Sequence, residues 1–182
     1  NYLLNHPRKL TTLSFFSERY KAAKSSISED LVIIKRIFDE TEVGTVETFV
    51  GVSGGVVFTP AISDKNSQEI ASEIAALMGE SNRILPGGYI YLSDILGRPK
   101  NLDKIGKIIA HEYVGKQIDA IMTIATKGIP IAQAVSSILD VPFVIVRRDP
   151  KVTEGATLNV NYMSGSSSKV ENMTLSKRSL AP

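Results

Sequence analysis

From the amino terminus, apolar positions follow a helical period. Leu13, Phe16, Tyr20 and Ala23 recur three to four residues apart, and Ile27, Leu31, Ile34 and Phe38 form a second stripe directly after them. Ser26 followed three residues later by Glu29 reads as a capping box, which predicts that the second helix starts there. Two short helices with so brief a connection form a helix-turn-helix arrangement. Lys21-Ala22-Ala23-Lys24 occupies the turn, a place where glycine is usual. The pattern then changes. Gly44 to Val50 is rich in β-formers, Gly51-Val52-Ser53-Gly54-Gly55 is a turn, and Val56-Val57-Phe58 resumes the apolar run, which together predict a hairpin. Helix, helix, hairpin is the order of a winged helix, whose second helix suits the major groove.

Beyond Phe58 the chain reads as an α/β unit. Thr59 to Asn66 is polar, contains Pro60 and predicts a linker. Ile70, Ile74 and Leu77 mark a helix ending near Gly79, and Leu85 to Leu92 a turn feeding a short strand. Leu102, Ile105, Ile109 and Tyr113 mark a further helix from Asn101 to about Gln117. Ile118 to Ala125 is almost continuously apolar, as expected for a parallel strand covered on both faces. After Thr126-Lys127-Gly128-Ile129, Pro130 opens a helix to Leu139, and Val141 to Arg148 supplies the next strand. This is a β-α-β unit with a right-handed crossover. Leu158, Val160 and Tyr162 alternate, Ser164 to Ser168 form a polar tip, and Val170 to Leu175 return, so an exposed hairpin is expected as a surface arm or a flap. The domains are then 1–60 and 61–182.

Composition narrows the chemistry. Of 182 residues 43% are hydrophobic and 22% charged, as in folded globular domains, and the formal net charge is +2. The charge is uneven: residues 1–36 carry seven basic and three acidic side chains, and residues 37–60 carry four acidic and no basic ones. A basic face is the electrostatic footprint of nucleic-acid binding, though charge by itself equally fits a solvated helix face. With the winged-helix order, it makes Arg19, Lys24, Ser25, Ser26, Ser28, Lys35 and Arg36 candidate DNA contacts, with Gly54 and Gly55 in the wing. Without cysteine the chain holds no disulfide, thiolate zinc site or cysteine nucleophile, and a reducing compartment is suggested. No apolar run approaches the roughly 18–20 residues that span a bilayer, so a cytoplasmic protein with no membrane partner is expected. Gly51-Val52-Ser53-Gly54-Gly55 fits the G-x-S-x-G pattern of hydrolases, but β-branched residues follow it where that motif needs a helix. His111 reads as an ordinary boundary histidine. Thr126-Lys127-Gly128 falls at the carboxyl end of a strand and beside a helix N-terminus, where α/β sheets bind ligands and phosphates. No metal-ligand spacing occurs.

The order of parts, and several segments within it, resemble the purine operon repressor family of Gram-positive bacteria. The likeness runs through Phe15-Phe16-Ser17-Glu18-Arg19-Tyr20, Ala23 to Leu31, Ile84-Leu85-Pro86-Gly87-Gly88-Tyr89, Ala125 to Pro130, Lys151 to Gly155 and Asn161 to Ser167. It implies a winged-helix domain fused to a type I phosphoribosyltransferase-like domain with a doubly wound parallel sheet. It further implies a homodimeric repressor on double-stranded operators of purine synthesis and salvage genes, without catalysis and without a required cofactor. Phosphoribosyl pyrophosphate (PRPP), with Mg accompanying it, would be the inducer, and guanosine alarmones competing effectors. By the same likeness Thr126, Lys127 and Gly128 form the pyrophosphate loop, Tyr89 the hood, and 157–176, with Ser164 and Ser166, the flexible loop. The chain departs from the family in lacking the Asp-Asp phosphoribosyl motif. Asn1 reads as the interior of a first helix and the carboxyl end as a truncation. Two other functions fit parts of the sequence: a purine phosphoribosyltransferase, and a module whose first domain binds protein.

Overall fold

A computed structural model describes residues 1–180 except 52, 53, 150, 151, 166 and 167. The chain opens with a single 3-10 turn, Leu3–Asn5, where a longer helix is expected; it buries Leu3. Helix α1 (Leu13–Tyr20) starts at Thr12, whose hydroxyl accepts the Phe15 N–H at 3.2 Å. It ends on Lys21, which takes the left-handed conformation at φ 52° that a turn glycine would supply. Ser17 secures that turn from both sides. Its hydroxyl donates to the Ala22 carbonyl at 2.6 Å, and its own carbonyl accepts the Ala22 N–H at 3.2 Å.

Helix α2 (Lys24–Glu40) begins two residues before the expected start, capped by the extended residue Ala23. The Ser26–Glu29 capping box is therefore not the helix start: Lys21 completes the turn early, and Ser26 already lies inside the first helical turn. Ala23 offers no side-chain acceptor, so α2 begins without a side-chain cap. The apolar stripe behaves as expected, with Ile27 and Leu31 buried and Ile34 and Phe38 half-buried.

Strands β1 (Gly44–Phe49) and β2 (Gly55–Pro60) form the antiparallel hairpin, pairing Gly44 with Pro60 and Phe49 with Gly55. Gly51 to Gly55 thus joins two paired strands, as the hairpin reading expects and the hydrolase motif does not, and Ser53 lies outside the described residues. Val46, Val56 and Phe58 face inward and join Leu3, Phe16, Ile27 and Leu31 in one core. Thr11 pairs with Val56 on the outer edge of β2. That pairing explains Gly55, where a Cβ would stand 2.5 Å from the Thr11 carbonyl oxygen.

The expected linker is shorter than its polarity suggests. β2 extends through Pro60 and α3 (Asp64–Met78) starts at once, its cap Ser63 accepting the Asn66 N–H at 3.1 Å. A small hairpin follows, β3 (Ile84–Leu85) and β4 (Tyr89–Ile90), turned by Gly87 and Gly88 at φ 84° and 78°. Helices α4 (Ser93–Leu96) and α5 (Pro99–His111) come next. α5 stops short of Gln117 because residues 112–116 turn away, with Gly115 at φ 74°.

The β-α-β unit is present. β5 (Ile121–Ile124) and β6 (Phe143–Val146) pair in parallel, Ile121 opposite Phe143, across α6 (Gly128–Leu139). α6 starts at Gly128, so Pro130 sits within its first turn, where a missing N–H costs no helical bond. α6 and α5 close on each other at Gly106, where a Cβ would stand 3.0 Å from the Ala134 Cβ. Ala110, Val135 and Leu139 form the core between these helices and the sheet. The expected cover on both strand faces is not found. Met122 is 62% exposed and Ile124 is exposed too, so helices cover only one side of β5. β7 (Thr157–Met163) and β8 (Val170–Ser176) make the predicted antiparallel hairpin. Reciprocal backbone bonds of 2.9 and 2.7 Å between Arg147 and Thr174 fasten β8 beside the end of β6.

Candidate nucleic-acid interface and ligand crevice

On α2 the candidate DNA contacts Lys24, Ser25, Ser26, Ser28, Lys35 and Arg36 are all exposed. Lys24 and Lys35 are eleven positions apart, which at ~100° and ~1.5 Å per residue puts them on one stripe about 16 Å apart, with Ser28 between them. That span exceeds the ~12 Å width of the major groove, so a helix lying in the groove can reach phosphates on both walls. Neither lysine takes part in an ion pair among the described residues. Arg36 lies 3.8 Å from Glu40, with both side chains mostly exposed, a pairing too weak in water to withhold the guanidinium from a phosphate. Arg19, at the end of α1, rests over the Tyr2 and Phe15 rings at 5.4 and 5.9 Å, which aims a flexible side chain.

The wing contributes differently. Gly54 is half-buried and Gly55 buried, and each is a glycine for a packing reason; at Gly54 a Cβ would meet the Phe49 carbonyl oxygen at 2.5 Å. Glu47 is exposed on β1, and Phe49 and Val50 are 49% and 95% exposed. Residues 37–60 hold no basic residue, so the cations among the candidate contacts all lie on α2 and at the end of α1.

At the carboxyl end of β5, Thr126 and Lys127 are exposed and lead into α6. The Ile129 N–H bonds the Thr126 carbonyl at 3.2 Å, folding the loop against the helix N-terminus. Gly128 permits that fold, for a Cβ there would stand 2.5 Å from the Thr123 hydroxyl oxygen. The Lys127 ammonium lies 5.8 Å from the centre of the Tyr91 ring. Tyr91 was not among the expected site residues, although it stands two positions beyond Tyr89, which is 72% exposed. Arg83 fastens the β3–β4 hairpin that carries Tyr89 and precedes Tyr91. Its guanidinium donates to Asp94 at 2.7 Å and to Glu80 at 3.1 Å, and its carbonyl accepts the Tyr91 N–H at 2.8 Å. The hydrogen bond from Arg83 keeps the Asp94 carboxyl below its ordinary range.

The end of β6, the strand paired with β5, is followed by two arginines. Arg147 pairs with Glu154 at 3.1 Å, and Arg148 approaches Glu171 at 3.6 Å. Ser164 is buried at the turn of the β7–β8 hairpin, its N–H bonded to the Lys169 carbonyl, and so belongs to the hairpin tip; Ser166 lies outside the described residues. Tyr162 donates to Glu171 at 2.6 Å, and that bond, together with desolvation, raises the phenol above its ordinary range. The neutral phenol is the form the hairpin favours. Its contribution is therefore whole below the ordinary tyrosine range and is lost as pH rises through the raised value. Among the six tyrosines, Tyr162 is expected to ionise late in an alkaline absorbance titration. Tyr162→Phe should remove that late component, and an unchanged high-pH limb would refute the assignment. Among the described residues no three His, Asp or Glu side chains gather as a metal cluster, and no helix is long and apolar enough to cross a membrane.

Comparison with known proteins matches both halves. Residues 1–60 fit the family model for the bacterial purine repressor N-terminal domain, and residues 92–179 that for the phosphoribosyl transferase domain. The adenine phosphoribosyltransferase of Rhodothermus marinus shares the fold of the second part, with TM-score 0.50 and 16% identity over 66% of this chain and 65% of that one. A DNA-binding domain joined to a transferase-fold domain defines the class. The purine biosynthesis transcriptional activator PurR of Lactococcus lactis is 72% identical over all of this chain and 67% of its own length. The purine biosynthesis transcriptional repressor PurR of Bacillus subtilis is 52% identical over 99% of this chain and 63% of its own length. The chain belongs to the PurR family of purine biosynthesis transcriptional regulators, and spans about two thirds of the length of these relatives.

Proposed function

We propose that this chain is a cytoplasmic, homodimeric regulator that binds double-stranded operator DNA of purine synthesis and salvage genes and senses PRPP. The observation that carries the reading is the exposed stripe of Lys24, Ser28 and Lys35 on α2, beside a hairpin without cations. α2 enters the major groove, and the uncapped N–H groups of its first turn face a phosphate near Ser25 and Ser26. PRPP, with its Mg, takes the crevice where Thr126, Lys127 and Gly128 meet α6, and Tyr89 and Tyr91 close the hood above it. Guanosine alarmones compete there. Occupancy changes operator affinity without a chemical step.

A gel shift with a purine-gene promoter, with and without PRPP, tests this. Retardation that fades steeply with salt and is relieved by PRPP is expected; no retardation, or a flat salt response, overturns it. Pyrophosphate release from PRPP and a purine base is expected to be absent, and its appearance would restore the transferase reading. The 72% identity to proteins named activators favours activation over the repression implied by the family resemblance, and a promoter fusion reads that sign directly.

A further inference from the structure

Side-chain hydrogen bonds of Arg8, and one from Asn66 of α3 to Glu42 at 2.9 Å, join the two halves. A cleft of about 830 Å³ separates the N-terminal unit from α3 and α5, lined among others by Val43, Phe58, Ile70 and Lys104. Pro7 and Ile138 also line it, adjoining Arg8 and Leu139, which are bonded to each other. Arg8 donates through one guanidinium nitrogen to the Leu139 carbonyl at 3.2 Å and through the other to the Lys116 carbonyl at 3.1 Å. Its partners lie 131 and 108 positions away. Its own N–H bonds the Phe58 carbonyl at 2.6 Å, and its backbone is held at φ 60°, a conformation an L-residue adopts only under constraint.

These contacts have a direction. Leu139 is the last residue of α6, and the Thr126–Gly128 loop leads into the first turn of the same helix. Twelve residues at ~1.5 Å each make α6 about 18 Å long, with a phosphate loop at one end and a guanidinium at the other. Each charge complements the helix dipole at its own end. α6 is packed along its length, with Ala132, Val135 and Leu139 buried and Gly106 of α5 against Ala134. Lys116 ends the turn that follows α5, so Arg8 grips the trailing ends of two helices that must move together.

We propose that Arg8 is the coupling residue of this regulator: α6 transmits occupancy of the phosphate loop to Arg8, and Arg8 passes it to the N-terminal core through Phe58. This rests on the proposed sensing function. It assigns the regulation to one packed element that reaches both sites and whose two arrangements occupancy would bias.

Two measurements on the full chain separate this proposal from the reading beneath it. Operator affinity is measured with and without Mg-PRPP for the parent, Arg8→Ala and Arg8→Lys. In the parent PRPP is expected to change affinity at least about 5-fold, the lower end of typical couplings. In Arg8→Ala the change falls below about 2-fold, while operator binding without PRPP and PRPP binding without DNA each stay within about 3-fold. Arg8→Lys keeps the charge but not the two-pronged fork, so its coupling also falls. Undiminished coupling in both variants overturns the proposal. If the parent shows no PRPP effect, the sensing function fails, and the second measurement decides on Arg8. The chain has no cysteine, so spin labels at Asp39→Cys and Asp119→Cys report the distance between the halves. In dimers formed with excess unlabelled chain, a single narrow distribution that broadens in Arg8→Ala and Arg8→Lys supports the clasp; unchanged distributions overturn it.

Discussion

Replacing Lys24 and Lys35 together by alanine is expected to weaken operator binding roughly 60-fold at 0.1 M salt for each α2 that engages the operator. The figure follows from counterion release, in which each phosphate contact contributes ~0.9 to the slope of log K against log salt, so two contribute ~1.8. The slope itself should fall by about 1.8 per engaged protomer, and this is the more discriminating measurement, because a misfolded variant loses affinity without a defined change of slope. Alanine is the best helix former, so α2 should persist and even gain slightly in propensity. Lys65→Ala provides the control. Lys65 is exposed on α3 and 3.8 Å from Glu69, so the variant changes net charge without touching α2. Its slope is expected to equal that of the parent. An equal effect from Lys65→Ala, or an unchanged slope in the double variant, removes α2 from the interface. Since a phosphate contact carries no base information, affinity for unrelated duplex DNA should fall in parallel. Ser28→Ala lies between the two lysines and should alter discrimination between operators more than overall affinity.

How much of this could be read from the chain depends on the distance over which each feature is encoded. The stripe Ile27, Leu31, Ile34 and Phe38 and the strand-helix-strand run from Ile121 to Val146 are local patterns, and both appear where periodicity puts them. The start of α2 was misread because the Ser26–Glu29 pair is a strong local signal, yet Lys21 had already turned the chain. Met122 and Ile124 show the limit of an apolar run: it reports that a strand can be buried on both faces, not that something covers both. The loop Thr126-Lys127-Gly128 was legible as a strand-to-helix turn, because it interrupts an apolar run just before Pro130, though Gly and Lys are common in such turns for geometry and solubility. Tyr91 and Arg83 were not legible, since their meaning comes from an ammonium 5.8 Å away and a carboxylate eleven positions on. Arg8 carries no local signal at all. Nothing in Pro7-Arg8-Lys9 distinguishes a surface cation from one that bridges two carbonyls more than a hundred positions distant.

Phe58→Ala is expected to cost about 3–5 kcal/mol of stability, the range for deleting a buried aromatic side chain. Phe58 is 2% exposed, and its ring meets Phe38 of α2 edge-on at 5.1 Å. It also fills the space above Gly44, where a Cβ would stand 2.6 Å from the Phe58 ring. The loss is large against a total stability of about 5–15 kcal/mol for a domain. In a chain of this size it should lower the melting temperature by roughly 10 °C or more, as read by circular dichroism. Phe58→Leu keeps most of the volume and should lose markedly less, which separates a cavity from a lost ring-edge contact. Val160→Ala, at a side chain 64% exposed, should melt like the parent. Phe58 braces the inner side of the helix whose outer side carries Lys24 and Lys35, so operator binding should disappear over the same temperature interval as the fold. A melting temperature unchanged in Phe58→Ala would mean that the β1–β2 hairpin does not support α2, and the displayed lysine stripe would lose its physical basis.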